Sequence, residues 1–202
     1  MKSFYNIFAS AILSGICIAI ASICYLKTGG VAGAILFGFG LLAVVHYGWK
    51  LYTGTCGFVE TVKDHLWLSV ILVGNIVGCL LTALLAKYAQ PELVASATAA
   101  VDKRLAMGLC PCLINAVGCG FIMTTAVKFA RQSKFLPLLF GVPVFILCGF
   151  LHSIADAFYF SMADGAKWSA ELWPMVSTYL VIAAGNYIGC NLVRIVTLDK
   201  RG

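Results

Sequence analysis

Six apolar runs, at about 4–26, 31–49, 66–88, 105–127, 135–151 and 172–196, take up most of this chain. Each is near the roughly 20 residues that an α-helix needs to cross a hydrocarbon core. Inside such a core every backbone polar group must find a partner in the protein, and a continuous apolar run of this length does so as an α-helix. Composition agrees, since 61% of the 202 residues are hydrophobic and only 11% are charged. The mean hydropathy of +0.96 is outside the range of ordinary soluble domains. The expected fold is therefore an all-α membrane protein of six transmembrane helices. The first run follows Lys2 as a secretory signal would, but it exceeds a signal h-region in length, and "ASICYLKTGG" offers no small-x-small cleavage site. It reads as a retained span.

Basic residues set the expected orientation. With the N-terminus in the cytoplasm, Lys2, Lys63, Lys128, Arg131, Lys134, Arg194, Lys200 and Arg201 fall on the cytoplasmic side, against Lys27, Lys87, Lys103, Arg104 and Lys167 opposite. The excess, concentrated in the short loop "KFARQSK", places both termini in the cytoplasm of a cell (inner or plasma) membrane. The formal charge of +6 is accounted for by this topology and by contact with anionic membrane lipids, so no nucleic-acid partner is implied. Of the nine cysteines, Cys17, Cys24, Cys79, Cys119, Cys148 and Cys190 lie singly within spans, where Cys acts as a small hydrophobe. "CPC" at Cys110–Cys112 has no second ligand pair, so neither a metal site nor a cofactor is expected.

Two short segments match across the halves of the chain: "GNIVGC" at 74–79 and "GNYIGC" at 185–190. They lie in the third and sixth spans and so must cross in opposite directions, the pattern of a three-plus-three inverted repeat, here 1–95 and 96–202 within one transmembrane domain. Convergent helix packing by Gly and Asn is the competing explanation. The second and fifth spans occupy equivalent places, and both are interrupted: "VVHYGWKLYTGTCGFV" (44–59) carries Gly48, Lys50, Thr53, Gly54, Thr55 and Gly57, and "LHSIAD" (151–156) carries His152 and Asp156. Non-helical backbone at membrane depth is tolerated only around a cavity or within protein, so both breaks are expected to line a pathway.

"GWKLYTGTC" after "GFGLLAVV", then "LINAVGC", "GFLHSIADAFYF" and the two "GNxxGC" helices resemble the formate/nitrite transporter family in order and spacing. The resemblance implies a homopentamer of aquaporin-like protomers, each passing small monovalent anions such as formate, nitrite or hydrosulfide, with lactate or acetate in some members. Carried over by position, it puts the central histidine at His152, the loop threonine at Thr53, the fourth-helix asparagine at Asn115 and a vestibule lysine at Lys103. Apolar constrictions fall on Phe37 and Phe145, and on Leu41, Leu51 and Gly118. Gly118 replaces a larger aliphatic residue, so that constriction is expected to be wider. Three positions depart from the family pattern: an acid is replaced by Lys50, a glutamate by Leu151 and an asparagine by Asp156.

A bare anion crossing an apolar constriction loses hydration at a cost of several kcal/mol even after relaxation. A weak acid that crosses neutral avoids most of that, and a histidine, with a reference pKa of about 6.5, is suited to share the proton. Lys50 and Asp156, one at each break, are expected to compensate one another, since a lone charge near the midplane costs about 2.5–3.5 kcal/mol. His65 beside Asp64 reads as interfacial, His46 as structural, Trp168 and Trp173 as belt residues, and 88–104 as an outer loop packed on the surface. Two other classes stay open: an enzyme, for which the chain offers no nucleophile or metal set, and a nonconducting membrane scaffold.

Overall fold

In the computed structural model, residues 2–197 are described; the side chain of Lys2, the charges of Lys200 and Arg201 and the placement of the two ends lie outside this description. The first half comprises α1 (Lys2–Thr28), α2 (Gly30–His46), the short α3 (Tyr52–Thr55) running into a 3-10 turn (Cys56–Phe58) and α4 (Val62–Ala89), and α5 (Leu93–Met107) crosses the 95/96 boundary expected between the halves. The second comprises α6 (Leu109–Ala130), α7 (Leu136–Leu147), α8 (Ser153–Met162), α9 (Gly165–Cys190) and α10 (Leu192–Thr197). Every regular element among the described residues is helical. The segments Phe4–Thr28, Val62–Ala89 and Leu109–Ala130 are long and apolar enough to cross a membrane, while α2 and α7 are shorter apolar helices.

Packing repeats between the halves. α1 lies against α4 and α2, α6 against α9 and α7, and α2 meets α7 across the middle. Close approach depends on glycine: a Cβ on Gly78 would run into the Ile12 carbonyl oxygen of α1, and one on Gly189 into the Val117 carbonyl oxygen of α6. Such small-residue contacts hold helices together where no hydrophobic driving force separates lipid from protein. The start of α4 is fixed by a capping box, in which Thr61 accepts from the Asp64 amide while the Asp64 carboxylate accepts from the Thr61 amide.

Several boundaries differ from the sequence expectation. The segment 88–104 is not a surface loop, because most of it belongs to α5, whose Leu93, Ala97 and Val101 are buried at four-residue intervals against the core. The fifth-span break falls at 148–152, earlier than "LHSIAD", and Ser153–Asp156 already form the first turn of α8. The last long helix starts at Gly165 and is kinked at Glu171, three residues before Pro174. Trp168 is half-buried, and its indole N–H donates to the Phe160 carbonyl at 2.9 Å and fixes the α8–α9 corner. Trp173 does stand exposed. His65 ties the start of α4 to the end of α9 through Tyr187 Oη at 2.8 Å, and His46 is exposed against the Tyr47 ring.

Candidate functional site

Both broken helices turn through one backbone device. After α2, Trp49 N–H donates to Val44 C=O at 3.0 Å around Gly48 at φ +66°; after α7, Phe150 N–H donates to Phe145 C=O at 2.9 Å around Gly149 at φ +74°. Only glycine adopts that left-handed conformation without strain. "YGWKL" and "CGFLH" are therefore counterparts, and they align Lys50 with Leu151 and Leu51 with His152.

One asparagine holds each break. Asn75 Oδ1 accepts from Tyr52 N–H at 2.8 Å, and its Nδ2 donates to Ala11 and Lys50 carbonyls at 2.8 and 2.9 Å. Asn186 Oδ1 accepts from Ser153 N–H at 2.7 Å, and its Nδ2 donates to Ala116 and Leu151 carbonyls, both at 2.8 Å. Both asparagines are fully buried, so each supplies partners to backbone groups that no water shell could satisfy. Two cysteines brace across the halves: the Cys79 thiol donates to the Ile154 carbonyl at 3.3 Å and the Cys190 thiol to the Thr53 carbonyl at 3.4 Å. These thiols thus do more than fill space.

The two breaks meet at Thr53 and His152, whose Oγ1 and Nε2 atoms are 2.9 Å apart. His152 also caps α8, with Nδ1 accepting the Ala155 amide at 3.2 Å. That bond makes Nδ1 the unprotonated nitrogen, so a neutral ring carries its proton on Nε2 and donates it to Thr53. The Thr53 hydroxyl proton is then left for a third group. The Phe145 ring stacks on His152 at 5.6 Å and meets Phe37 edge-on at 6.1 Å.

Cavities of about 320 and 420 Å³ flank this junction. The first is lined by Phe37, Phe145, Leu151 and His152, the second by Leu41, Leu51, Lys50 and Arg131. The lining changes between Phe37 and Leu41, one helical turn apart on α2, which locates an apolar barrier there. Gly118 lines neither cavity, and a Cβ on it would come within 2.9 Å of the Phe150 ring. Phe150 therefore takes the volume that the glycine gives up, against the expectation of a wider constriction. Gly118→Leu should lower Tm through overpacking worth about 1–3 kcal/mol, and Phe150→Ala in the same chain should restore most of it in a thermal melt. Asn115 contributes its carbonyl to the break, accepting from Leu151 N–H at 3.3 Å, while its amide donates to Met107 Sδ at 3.3 Å on the exposed side.

The expected Lys50–Asp156 pair does not form. Lys50 is exposed and lines the second cavity, whereas buried Asp156 lines the first, so the apolar barrier separates them. The partner of Asp156 is Arg104, whose Nε donates to Oδ1 at 2.9 Å. Arg104 also donates to the Ala100 carbonyl at 3.0 Å and lies over the Tyr159 ring at 5.4 Å. It shares the first cavity with its exposed neighbour Lys103. Sequence reasoning missed Arg104; the available signal was its place one turn after Val101 on the buried stripe of α5.

These features define a helical membrane protein organised around two broken helices that meet in its interior. The chain belongs to the formate/nitrite transporter family, whose profile, described as Formate/nitrite transporter, matches residues 1–198. It is 24% identical over 217 aligned positions to the formate-nitrite transporter of Entamoeba histolytica, an alignment that takes in 91% of this chain and 60% of that protein. The chain thus spans about 60% of the amoebal protein's length. It is also 24% identical over 192 positions to the uncharacterized transporter YrhG of Bacillus subtilis, covering 84% of this chain and 72% of that one. Among solved structures it superposes on a pentameric formate channel with formate bound at a TM-score of 0.82, with 20% identity, over 98% of this chain and 99% of that one. A second, an ion channel of the same family, gives a TM-score of 0.84 and 18% identity over 96% and 89%.

Proposed function

We propose that the protein is a pH-dependent channel or transporter, and not an enzyme, for small monovalent anions of weak acids, with formate or nitrite as the substrates. One such pathway runs through each protomer of a homopentamer in the cell membrane. The observation that carries this reading is the Thr53–His152 hydrogen bond, held by two broken helices between two cavities. The fold shared with the pentameric formate channel supports the assembly and the substrate class. The matched asparagine bonds of Asn75 and Asn186 support six spans in a three-plus-three inverted repeat, with halves 1–95 and 96–202. Placement of basic residues supports cytoplasmic termini: the short loop 128–134 carries Lys128, Arg131 and Lys134, on the same side as Lys63 and Arg194.

The geometry supports a sequence of steps. An anion drawn to the first cavity by Arg104 and Lys103 meets the Phe37–Phe145 wall. Crossing it charged would cost several kcal/mol of hydration. Next to Thr53 and His152 the anion meets a hydroxyl hydrogen-bond donor and a titratable ring, takes up a proton drawn from the water of the first cavity, crosses the barrier as the neutral acid and gives the proton up again to water in the second cavity, past Lys50 and Arg131. Hydrosulfide and short-chain carboxylates fit the same scheme. The competing class is a nonconducting scaffold, suggested by Leu151 in place of an acid.

The test is pH-dependent flux in proteoliposomes for formate, nitrite, hydrosulfide, acetate and lactate. Flux of formate or nitrite should rise with falling pH as protons become available to the anion at the Thr53–His152 junction. His152→Asn should assemble normally, since Asn can still cap α8, yet lose most of the pH dependence. Wild-type rates with an unchanged profile in that variant would remove the proton-sharing role, and absence of flux for every anion would leave the scaffold.

A further inference from the structure

A third cavity, of about 390 Å³, lies beside the pathway, between the 3-10 turn, α6 and the α9–α10 end. Three cations line it, Lys128, Arg131 and Arg194, against a single acid, Glu60. None of the three has a carboxylate within ion-pair distance among the described residues. Two of them already grip the turn that follows α3: the Arg131 guanidinium lies 3.6 Å from the centre of the Phe58 ring, and Arg194 donates to the Val59 carbonyl at 2.7 Å. Apolar surface from Phe58, Phe129 and Val193 adjoins these charges in the same wall, with Phe129 40% and Val193 54% exposed.

We propose that this cavity binds the phosphate-bearing headgroup of an anionic phospholipid, with Lys128 and Arg194 as its charged contacts. Charge complementarity calls for an anion, and a phosphodiester offers acceptor oxygens that lysine and arginine both engage. The exposed apolar wall decides between sources: an acyl chain gains by covering Phe129 and Val193, and free phosphate gains nothing there. Placement gives the lipid a consequence. The 3-10 turn is continuous with α3, which carries Thr53, and Arg131 lines both this cavity and the second pathway cavity. A headgroup seated here completes the clamp on the segment that holds Thr53 against His152.

The test uses the purified full-length protein in mild detergent, with lipid adducts read by native mass spectrometry and Tm by thermal melt. Phosphatidylglycerol should bind and raise Tm, phosphatidylcholine should do neither, and millimolar inorganic phosphate should leave Tm unchanged. Each of Lys128→Gln and Arg194→Gln should weaken phosphatidylglycerol retention about five-fold. Arg194→Gln also loses the Val59 bond; Lys128, whose side chain makes no hydrogen bond among the described residues, supplies the variant whose fold is not in question. Equal binding of the two lipids, a Tm rise with phosphate matching that with phosphatidylglycerol, or wild-type retention in Lys128→Gln would each overturn the proposal.

Discussion

Arg104→Met should melt well below Asp156→Asn, and the Arg104→Met/Asp156→Leu double variant should recover much of the loss. The asymmetry comes from burial: the Asp156 side chain is 1% exposed and that of Arg104 18%. Asp156 Oδ2 has no hydrogen-bond partner among the described residues, so Arg104 is the carboxylate's main support. Removing the guanidinium strands a buried carboxylate, a change that costs about 3–5 kcal/mol in comparable pairs. Removing the carboxylate charge leaves Arg104 with its Ala100 bond, its Tyr159 ring and the first cavity, and asparagine can still accept from Nε. A loss of about 1–2 kcal/mol is expected there. Replacing both partners with apolar residues removes the desolvation cost along with the attraction. Lys50→Met should add to Asp156→Asn without coupling, because the apolar barrier separates the two sites. Equal melting of Arg104→Met and wild type, or strong coupling of Lys50 to Asp156, would contradict the arrangement. In flux measurements Arg104→Met should also slow anion uptake from the first-cavity side most at low ionic strength, where a long-range attraction counts for most.

The sequence reported some of this directly and hid the rest for physical reasons. The apolar runs and the paired "GNxxGC" segments were legible because membrane packing leaves few ways to use a buried Asn, and both copies serve backbone breaks. The second-span break was legible from its glycines. The fifth lies about three residues earlier than "LHSIAD" suggests, because His152 and Asp156 are the polar residues that stand out in that run. In the structure His152 is a cap and Asp156 sits in the first turn, so polarity marked the beginning of a helix. α5 is hard to see because its hydropathy is low and it follows "AQPE"; its buried face shows only as Leu93, Ala97 and Val101 at four-residue spacing. That conceals Arg104, and without Arg104 the nearest available cation for Asp156 is Lys50. An inverted repeat in fact argues against the Lys50 pairing: the two break loops align Lys50 with Leu151, a residue whose cavity lies across the barrier from that of Lys50.

Asn186→Leu and Asn75→Leu should be the most damaging single substitutions in the protein, and the two should differ in a defined way. Each asparagine satisfies one backbone N–H and two backbone carbonyls at a helix break. Leucine copies its branched outline, though larger, and supplies none of these bonds, and each stranded buried group costs about 1–3 kcal/mol. Water cannot repay the debt at membrane depth. Both variants are therefore expected to lose about 3 kcal/mol or more, read as a large fall in Tm or in the yield of folded protein. Their functional effects should separate under milder change. Asn→Asp keeps the accepting oxygen and loses the two donors, loosening the carbonyl side of a break while its helix start stays anchored. In Asn186→Asp the released carbonyl is that of Leu151, next to His152, so the histidine's position and the pH profile of flux should shift. In Asn75→Asp the released carbonyl is that of Lys50, on the second-cavity side of Leu51, so rate should fall with the pH profile retained. A pH profile displaced by Asn75→Asp and left unmoved by Asn186→Asp would reverse the assignment of proton sharing to the α8 side of the junction.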